Sequence, residues 1–127
     1  MIVADTSALM AIVLGEPEAE GCIEAVSEAE IVTVSAVTMA EALIIAQRRG
    51  VGEEMMRLFD ELDLEVEVVT AATARQAAAA YRRWGKGRDP AGLNFGDCFP
   101  YALARLRSWP LLYVGEDFVR TDVAAAR

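Results

Sequence analysis

Short apolar runs alternate with longer amphipathic segments along the whole chain. Strand-like runs occupy residues 1–4 (MIVA), 31–34 (IVTV) and 110–115 (PLLYVG), and residues 64–68 alternate apolar with acidic positions. A short continuous apolar run is typical of a strand buried on both faces. Strict alternation indicates a strand with one wet face, so 64–68 is predicted to lie near the edge of a sheet.

Segments with the helical period separate these strands. Candidate N-caps are Thr6 or Ser7, Ser35 and Thr70, and Gly50 closes the third helix. The predicted helices cover 6–14, 17–29, 36–49, 52–62, 71–84 and 95–107, with a loop at 85–94 and a short helical turn after 115. Alternating strands and helices predict an α/β fold, a three-layer α/β/α sandwich with a short parallel sheet. Ligands of such sheets bind beyond the carboxyl ends of the strands, near a switch point in strand order.

Composition predicts one globular domain spanning residues 1–127. Hydrophobic residues make up 54% and charged residues 25% of the chain, which is globular composition. No apolar run approaches the roughly 20 residues of a membrane span, and no signal-like segment opens the chain. We therefore expect a cytoplasmic protein with no membrane partner.

The chain has no histidine, and this excludes several classes of chemistry. Hydrolases with Ser-His-Asp or Cys-His sites and histidine-ligated metals are ruled out. The two cysteines, Cys22 and Cys98, are far apart, and we expect both to be small buried side chains without a disulfide. Catalysis would have to use carboxylates, hydroxyls, a few basic groups or a metal held by oxygen.

Three carboxylates are isolated within apolar surroundings. Asp5, Glu41 and Asp97 are the sole charged residues within 1–15, 31–47 and 90–104, respectively. A single buried acid is usually a helix cap or half of a salt bridge. Asp97 fits a capping position, but Glu41 lies in mid-helix and does not. Asp117, after the apolar run 110–115, is a fourth candidate at the same edge as Asp5.

Convergence of these acids in one crevice would require a counterion. Two carboxylates about 4 Å apart repel by roughly 4 kcal/mol at an effective dielectric near 20. Several together must be protonated or hold a cation. Oxygen ligands with open positions suit Mg²⁺ or Mn²⁺ and a phosphate substrate. The sequence therefore predicts a carboxylate-held divalent cation, with Asp5 as its first ligand.

Four motifs follow one another along the chain: VADTSAL, AEA around Glu41, LNFGDCFPYALA around Asp97, and LLYVGEDFVRTDV. In this order they resemble the motifs of the PIN-domain nucleases, and most closely those of the VapC toxins of bacterial toxin–antitoxin pairs. The segment GKGRDPAGLN is also similar to that branch. The resemblance extends over the whole chain. It implies a Mg²⁺-dependent endoribonuclease (Mn²⁺ is an alternative ion) that is silenced by a VapB-type antitoxin and forms a homodimer.

The resemblance also implies the site residues. The acidic quartet maps onto Asp5, Glu41, Asp97 and Asp117, with Asp122 as a further site acid. On this basis we expect Asp5 and Asp97 to be the direct metal ligands. Glu41 and Asp117 would hold metal-bound water or a second ion.

Further residues near these motifs have a functional and a structural interpretation. Ser7 and Thr6 would support the site or only cap a helix. Pro100 departs from the resemblance, because a proline beyond the first helical turn removes a hydrogen bond and bends the helix; it would alter the aim of Asp97.

RNA binding conflicts with a net charge of −8, so a local basic surface is needed. The candidates are Arg82, Arg83, Lys86 and Arg88. The alternative is a solvated helix end, which Arg48 and Arg49 fit better. Tyr81, Trp84, Phe95 and Tyr101 offer rings for base stacking, but we expect Phe95 and Tyr101 to be core residues.

Two other functions fit the sequence less well. A receiver domain or aspartyl-phosphate phosphatase needs a lysine at a late strand end, whereas the sole lysine, Lys86, lies in the predicted loop. The stronger alternative is a catalytically weak or inactive PIN-fold module that binds metal and a protein partner. Independently of either alternative, the apolar, Met-bearing helix 53–62 offers a dimer or antitoxin interface, although core packing is its more common use.

Overall fold

A four-stranded parallel sheet lies at the centre of the molecule, which a computed structural model describes over all 127 residues. Its strands are β1 (Ile2–Ala4), β2 (Val32–Ser35), β3 (Glu65–Glu67) and β4 (Leu111–Leu112), in the order β3-β2-β1-β4. The edge position predicted for 64–68 is confirmed. β4 is shorter than the predicted strand 110–115, because the chain leaves the sheet after Leu112.

Six helices cover the two faces of the sheet. They are α1 (Thr6–Leu14), α2 (Ala19–Glu28), α3 (Ala36–Arg48), α4 (Gly52–Glu61), α5 (Ala71–Trp84) and α6 (Phe95–Arg107). Helices α1 to α4 pack against one face, and α5 and α6 pack against the other. The predicted α/β/α layering is therefore confirmed. The helical turn expected after residue 115 takes the form of two hydrogen-bonded turns, in which the Val119 N–H donates to the Glu116 carbonyl (3.3 Å) and the Thr121 N–H donates to the Phe118 carbonyl (3.1 Å).

Each face of the sheet has its own hydrophobic core. The alternation along β1 shows the division, since Ile2 and Ala4 join the core under α1 to α4 while Val3 joins the core under α5 and α6. Cys22 and Cys98 are buried as free thiols, one in each core, as predicted. The two cores therefore cover both faces of the sheet but not the carboxyl ends of its strands.

Helix α4 divides its apolar side chains between the core and the surface. Met55, Leu58 and Phe59 are buried, whereas Met56 is exposed. The expectation of core packing is thus confirmed for most of this helix. None of the helices is both long and apolar enough to cross a membrane.

Candidate active site

The strand order places a crevice beside β1. The chain forms β1, β2 and β3 in one direction across the sheet, and then β4 pairs with β1 on the opposite side. Because all strands are parallel, their carboxyl ends meet at one edge, and the order reverses between β1 and β4. Asp5 directly follows β1 at this switch point.

Asp5 is the N-cap of α1. Its Oδ2 accepts hydrogen bonds from the Ser7 backbone N–H (3.0 Å) and the Ser7 hydroxyl (2.6 Å). Thr6 and Ser7 were each predicted as this cap. That prediction is wrong, because both already lie in the first helical turn. Helix capping therefore accounts for the two hydrogen bonds of Asp5 Oδ2, but it provides no positively charged partner for the carboxylate.

Ser7 also ties Asp5 to the last strand. The Ser7 hydroxyl accepts a hydrogen bond from the Val114 N–H (3.0 Å) while it donates to Asp5. Asp5 in turn donates its own N–H to the Leu112 carbonyl (2.9 Å). These bonds couple the end of β1 to the segment after β4, which leads on to Asp117.

Glu41 reaches the crevice from the second turn of α3. Its Oε1 accepts a hydrogen bond from the Thr6 hydroxyl at 2.6 Å. Thr6 is therefore a support for Glu41 rather than a helix cap. A methyl group placed on Gly96 would overlap the Glu41 carboxylate, so the glycine before Asp97 makes room for this side chain. Glu41 thus lies between α1 and the start of α6.

Asp97 occupies the third position of α6 and forms a capping box with Asn94. The Asp97 N–H donates to Asn94 Oδ1 (2.9 Å), and the Asn94 N–H donates to Asp97 Oδ2 (3.0 Å). The helix N-terminus therefore fixes the position of this carboxylate. Sequence reasoning missed Asn94, although an Asn three residues before an acidic position is a recognisable capping signal.

Burial and mutual repulsion raise the pKa of two of these carboxyls. Burial raises the pKa of Asp5 from 3.8 to about 6, against the lowering effect of its Ser7 hydrogen bonds, and the Glu41 charge raises it further. Burial likewise raises the pKa of Asp97 to about 7, and the charges of Asp5, Asp117 and Glu41 add to this. The four acids thus lie close enough for their charges to interact.

No basic side chain forms a salt bridge with any of the four carboxylates. The salt bridges of the structure join Glu54 to Arg57, Glu67 to Arg107, and Asp122 to Arg83 and Arg105. None involves Asp5, Glu41, Asp97 or Asp117. A solvent-accessible divalent ion is the simplest counterion for such a group.

The donor set fits a magnesium-like ion. Next to Asp97, burial raises the pKa of the Cys98 thiol to about 11, so it offers no thiolate, and only oxygen donors remain. No three acidic or thiol side chains converge closely enough to enclose an ion. Mg²⁺ commonly retains several waters and takes one or two carboxylates directly. Two direct ligands, with the other acids acting through water, agree with this arrangement.

Asp122 lies in a different environment from the quartet. It accepts a hydrogen bond from the Tyr101 hydroxyl (2.5 Å) and forms salt bridges with Arg83 (3.4 Å) and Arg105 (3.6 Å). Partial burial acts to raise the pKa of Asp122, but the Tyr101 hydrogen bond and the two arginine charges outweigh it and lower the pKa. The structure therefore does not bring Asp122 together with the four acids.

The four candidate RNA-binding cations divide into two groups. Arg83 packs over the Trp84 ring (4.5 Å to the centroid) and forms a salt bridge with Asp122. Its guanidinium is therefore already in contact with other residues of the chain. Arg82, Lys86 and Arg88 are exposed and form no salt bridge.

The two aromatic residues expected in the core have different positions. Tyr101 is buried, as predicted, and accepts a hydrogen bond from the Trp84 ring N–H (2.8 Å). The prediction for Phe95 is wrong, because its side chain is 72% exposed. As the first residue of α6, Phe95 points away from the sheet at the helix end. It touches Phe99 edge-on, at 5.1 Å between ring centroids.

Pro100 is the sixth residue of α6, beyond its first turn. It therefore has no N–H to donate to the Gly96 carbonyl. Its ring is fully buried, and the helix continues to Arg107. The Asn94–Asp97 capping box is intact in its presence, so Asp97 remains fixed at the helix start.

Comparisons with known proteins agree with this architecture. The PIN domain family matches residues 2–124. The chain is 46% identical over 127 residues to Ribonuclease VapC of Mycolicibacterium smegmatis, covering 98% of each chain.

Two solved structures share the fold. One is VapC20 of Mycobacterium tuberculosis, described as a Sarcin-Ricin loop cleaving toxin, with a TM-score of 0.78 and 20% identity over 98% of this chain and 97% of that one. The other is a toxin-antitoxin complex from Klebsiella pneumoniae, with a TM-score of 0.75 and 18% identity over 100% of this chain and 98% of that one.

Proposed function

Because this chain belongs to the PIN domain family, in its VapC ribonuclease branch, we propose that it is the ribonuclease toxin of a toxin–antitoxin pair and that its four carboxylates cleave RNA with a divalent cation. Asp5 and Asp97 are the proposed direct ligands of Mg²⁺, with Mn²⁺ as an alternative ion. Glu41 and Asp117 complete the proposed catalytic group.

The observation that supports this proposal most strongly is the absence of countercharge. Asp5, Glu41, Asp97 and Asp117 have no basic partner, and the pKa values of Asp5 and Asp97 are raised. A protein that needed these residues only for folding would be expected to pair or replace them, because buried unpaired charge is unfavourable. The arrangement is favourable once a cation is bound.

Each side chain has a distinct part in the proposed reaction. A bound divalent ion lowers the pKa of a water molecule and neutralises charge on the phosphoryl oxygens. Asp5 and Asp97 hold their oxygens at fixed positions, because Ser7 and Asn94 supply hydrogen bonds from helix starts. Glu41, held by Thr6, orients the attacking water and accepts its proton. Asp117, on an exposed turn and with its charge acting on Asp97, would help to hold the ion through water.

The proposed substrate is RNA, and its phosphates approach an acidic protein through local positive charge. Arg82, Lys86 and Arg88 are free to bind phosphate, and we propose them as weak RNA contacts. Arg83 contributes less, because Asp122 and Trp84 already engage it. These contacts predict RNA affinity that falls as the salt concentration rises.

We further propose that the whole chain, residues 1–127, is one nuclease domain that acts in the cytoplasm as a homodimer. Its proposed inhibitor is a VapB-type antitoxin. Support comes from the related Klebsiella pneumoniae structure, a toxin-antitoxin complex. Exposed apolar side chains such as Met56, Ile44 and Ile23 provide surface for such contacts.

A cleavage assay with Asp5→Asn tests the proposed site. Asparagine preserves the side-chain shape and can still accept a hydrogen bond, but it removes the charge. We expect wild-type protein to cleave structured RNA with Mg²⁺ or Mn²⁺, to stop on addition of a chelator, and to lose at least about 100-fold in rate with Asp5→Asn.

Two results would contradict the proposal. Cleavage by Asp5→Asn at the wild-type rate would remove Asp5 from the site. Absence of any metal-stimulated cleavage by folded wild-type protein, together with binding to an antitoxin, would favour the inactive interaction module.

A further inference from the structure

Phe95 is an aromatic side chain that the proposed chemistry does not use. It is 72% exposed, the most exposed of the large hydrophobic side chains. It is the first residue of α6 and stands two positions before Asp97. A large apolar side chain left in water at the mouth of a candidate active site needs a partner.

The ring of Phe95 has a defined support. Phe99, one turn further along α6, meets it edge-on at 5.1 Å between centroids and 62° between ring planes. Such T-shaped pairs are favourable aromatic contacts. The supporting contact is on one side only, which leaves the ring of Phe95 available to a ligand.

Two clefts meet at Phe95. One, of about 480 Å³, lies between α3 and the start of α6, and its lining includes Glu41, Gly96, Ile44 and Arg48. This cleft therefore runs directly from a candidate catalytic acid to the Phe95 ring.

The other cleft, of about 730 Å³, lies between α5 and α6 and is mainly apolar, with Tyr81, Phe99 and Lys86 in its lining. The Tyr81 hydroxyl donates to the Lys86 carbonyl (3.0 Å) and so fixes the backbone that carries the only lysine. Both clefts have a size typical of ligand sites.

Each cleft contributes one exposed cation. Arg48 lines the first and Lys86 lines the second, and neither forms a salt bridge. In a chain with 20 acidic and 12 basic residues, an exposed ring between two free cations is complementary to a ligand that combines flat rings with negative charge. A strand of unpaired nucleotides is such a ligand.

We infer that Phe95 is the stacking platform for an unpaired base of the RNA, next to the phosphate that is cleaved. Arg48 and Lys86 bind phosphates on either side of that base. This inference rests on the proposed ribonuclease activity and adds to it the residue that binds the base beside the cut. A stacked base has no requirement for sequence, because every base has a flat π face.

The test compares Phe95→Ala and Phe95→Trp with wild-type protein. The probe is a short single-stranded RNA with 2-aminopurine next to the cleaved bond, whose fluorescence falls when the base stacks. Loss of the ring should raise KM about 5- to 100-fold, the range of base–aromatic stacking by alanine substitution. The value of kcat should change much less, and Phe95→Trp should restore both KM and the fluorescence decrease.

Leu106→Ala provides the matched control, because Leu106 is an exposed apolar residue (54%) at the other end of the same helix. It should leave KM unchanged. Equal KM values for wild type and Phe95→Ala, with an unchanged fluorescence decrease, would overturn the stacking inference and leave the nuclease proposal intact.

Two further outcomes are informative. If folded wild-type protein fails to cleave any RNA with Mg²⁺ or Mn²⁺, the nuclease proposal fails; a titration with single-stranded RNA that carries 2-aminopurine at an internal position then tests stacking alone, and an equal fluorescence decrease with wild type and Phe95→Ala overturns it. If Phe95→Ala weakens only inhibition by an antitoxin and leaves RNA cleavage unchanged, the ring belongs to a protein interface and the inference is wrong.

Discussion

The protein contains two carboxylate sites with opposite electrostatics. At the switch point, Asp5 and Asp97 have raised pKa values and no basic partner. At the second site, Asp122 has a lowered pKa and is held by Tyr101, Arg83 and Arg105. The second site has its basic partners within the chain, whereas the first has none. Asp122 therefore links α5, α6 and the C-terminal segment, whereas Asp5 and Asp97 are positioned to bind a ligand.

Removing one charge from each site should give the largest contrast. We expect Asp97→Asn to lower metal-dependent RNA cleavage at least about 100-fold, because it removes a charged ligand, while the folded protein becomes more stable without metal. Asp122→Asn should leave cleavage within about threefold and lower the melting temperature, because it removes two salt bridges. Cleavage rates and thermal melts of both variants check this. A similar loss of cleavage in both would bring Asp122 into the active site.

One added methyl group beside Glu41 should test whether the first site tolerates a displaced carboxylate. Gly96→Ala places a Cβ against the Glu41 carboxylate, which Thr6 holds on its other side. We expect kcat to fall about tenfold, because a small misplacement of a reacting group is costly, with little change in the melting temperature.

Gly21→Ala is the control, since a Cβ there meets only the end of the Arg127 side chain. It should leave cleavage unchanged. If Gly96→Ala also cleaves RNA at the wild-type rate, Glu41 does not need its observed position.

The smallest expected difference between the two sites lies in how the stability of the protein depends on pH. Asp5 and Asp97 have pKa values of about 6 and 7 when folded, above their ordinary value of 3.8. The folded state therefore binds more protons than the unfolded state between about pH 4 and pH 7, and stability falls as the pH rises through this range. We expect the metal-free protein to melt at least about 5 °C lower at pH 8 than at pH 5.

Magnesium should reverse that trend. Added Mg²⁺ should raise the melting temperature at pH 8 more than at pH 5, because only the charged carboxylates bind it. Asp122 has a lowered pKa, so its stabilising effect is lost only as the pH falls below about 4. A melting temperature that rises from pH 5 to pH 8 without metal would mean that the quartet is not buried as a charged group.

Most of the fold followed from the hydrophobic pattern, because each element carries its own local signal. The Thr70 and Ser35 caps are where the residue types predicted them. The length of β4 was overestimated, since its apolar run continues after pairing with β1 has ended. The sequence does not distinguish an apolar residue within a strand from an apolar residue buried in the segment after that strand.

The candidate site was less predictable than the fold. Isolation within apolar sequence identified Asp5, Glu41 and Asp97, since a lone charge conflicts with its surroundings. Isolation in the sequence does not show the role of Asp122, because its partners Arg83 and Arg105 come from two helices distant in sequence, α5 and α6. Phe95 was misassigned because apolar character alone does not show which side of a helix end faces the sheet. Only the packing of α6 against β1 and α5 decides that.

The position of β4 in the sheet has a consequence for synthesis. This strand forms from residues near the end of the chain, yet it pairs with β1 at the beginning, and Asp5 donates its N–H to Leu112. During translation β1 leaves the ribosome long before β4 is made. A growing chain therefore cannot pair β1 with β4, or hold Ser7 against Val114, until residues 111–114 have been synthesised, so the crevice beside Asp5 is completed late.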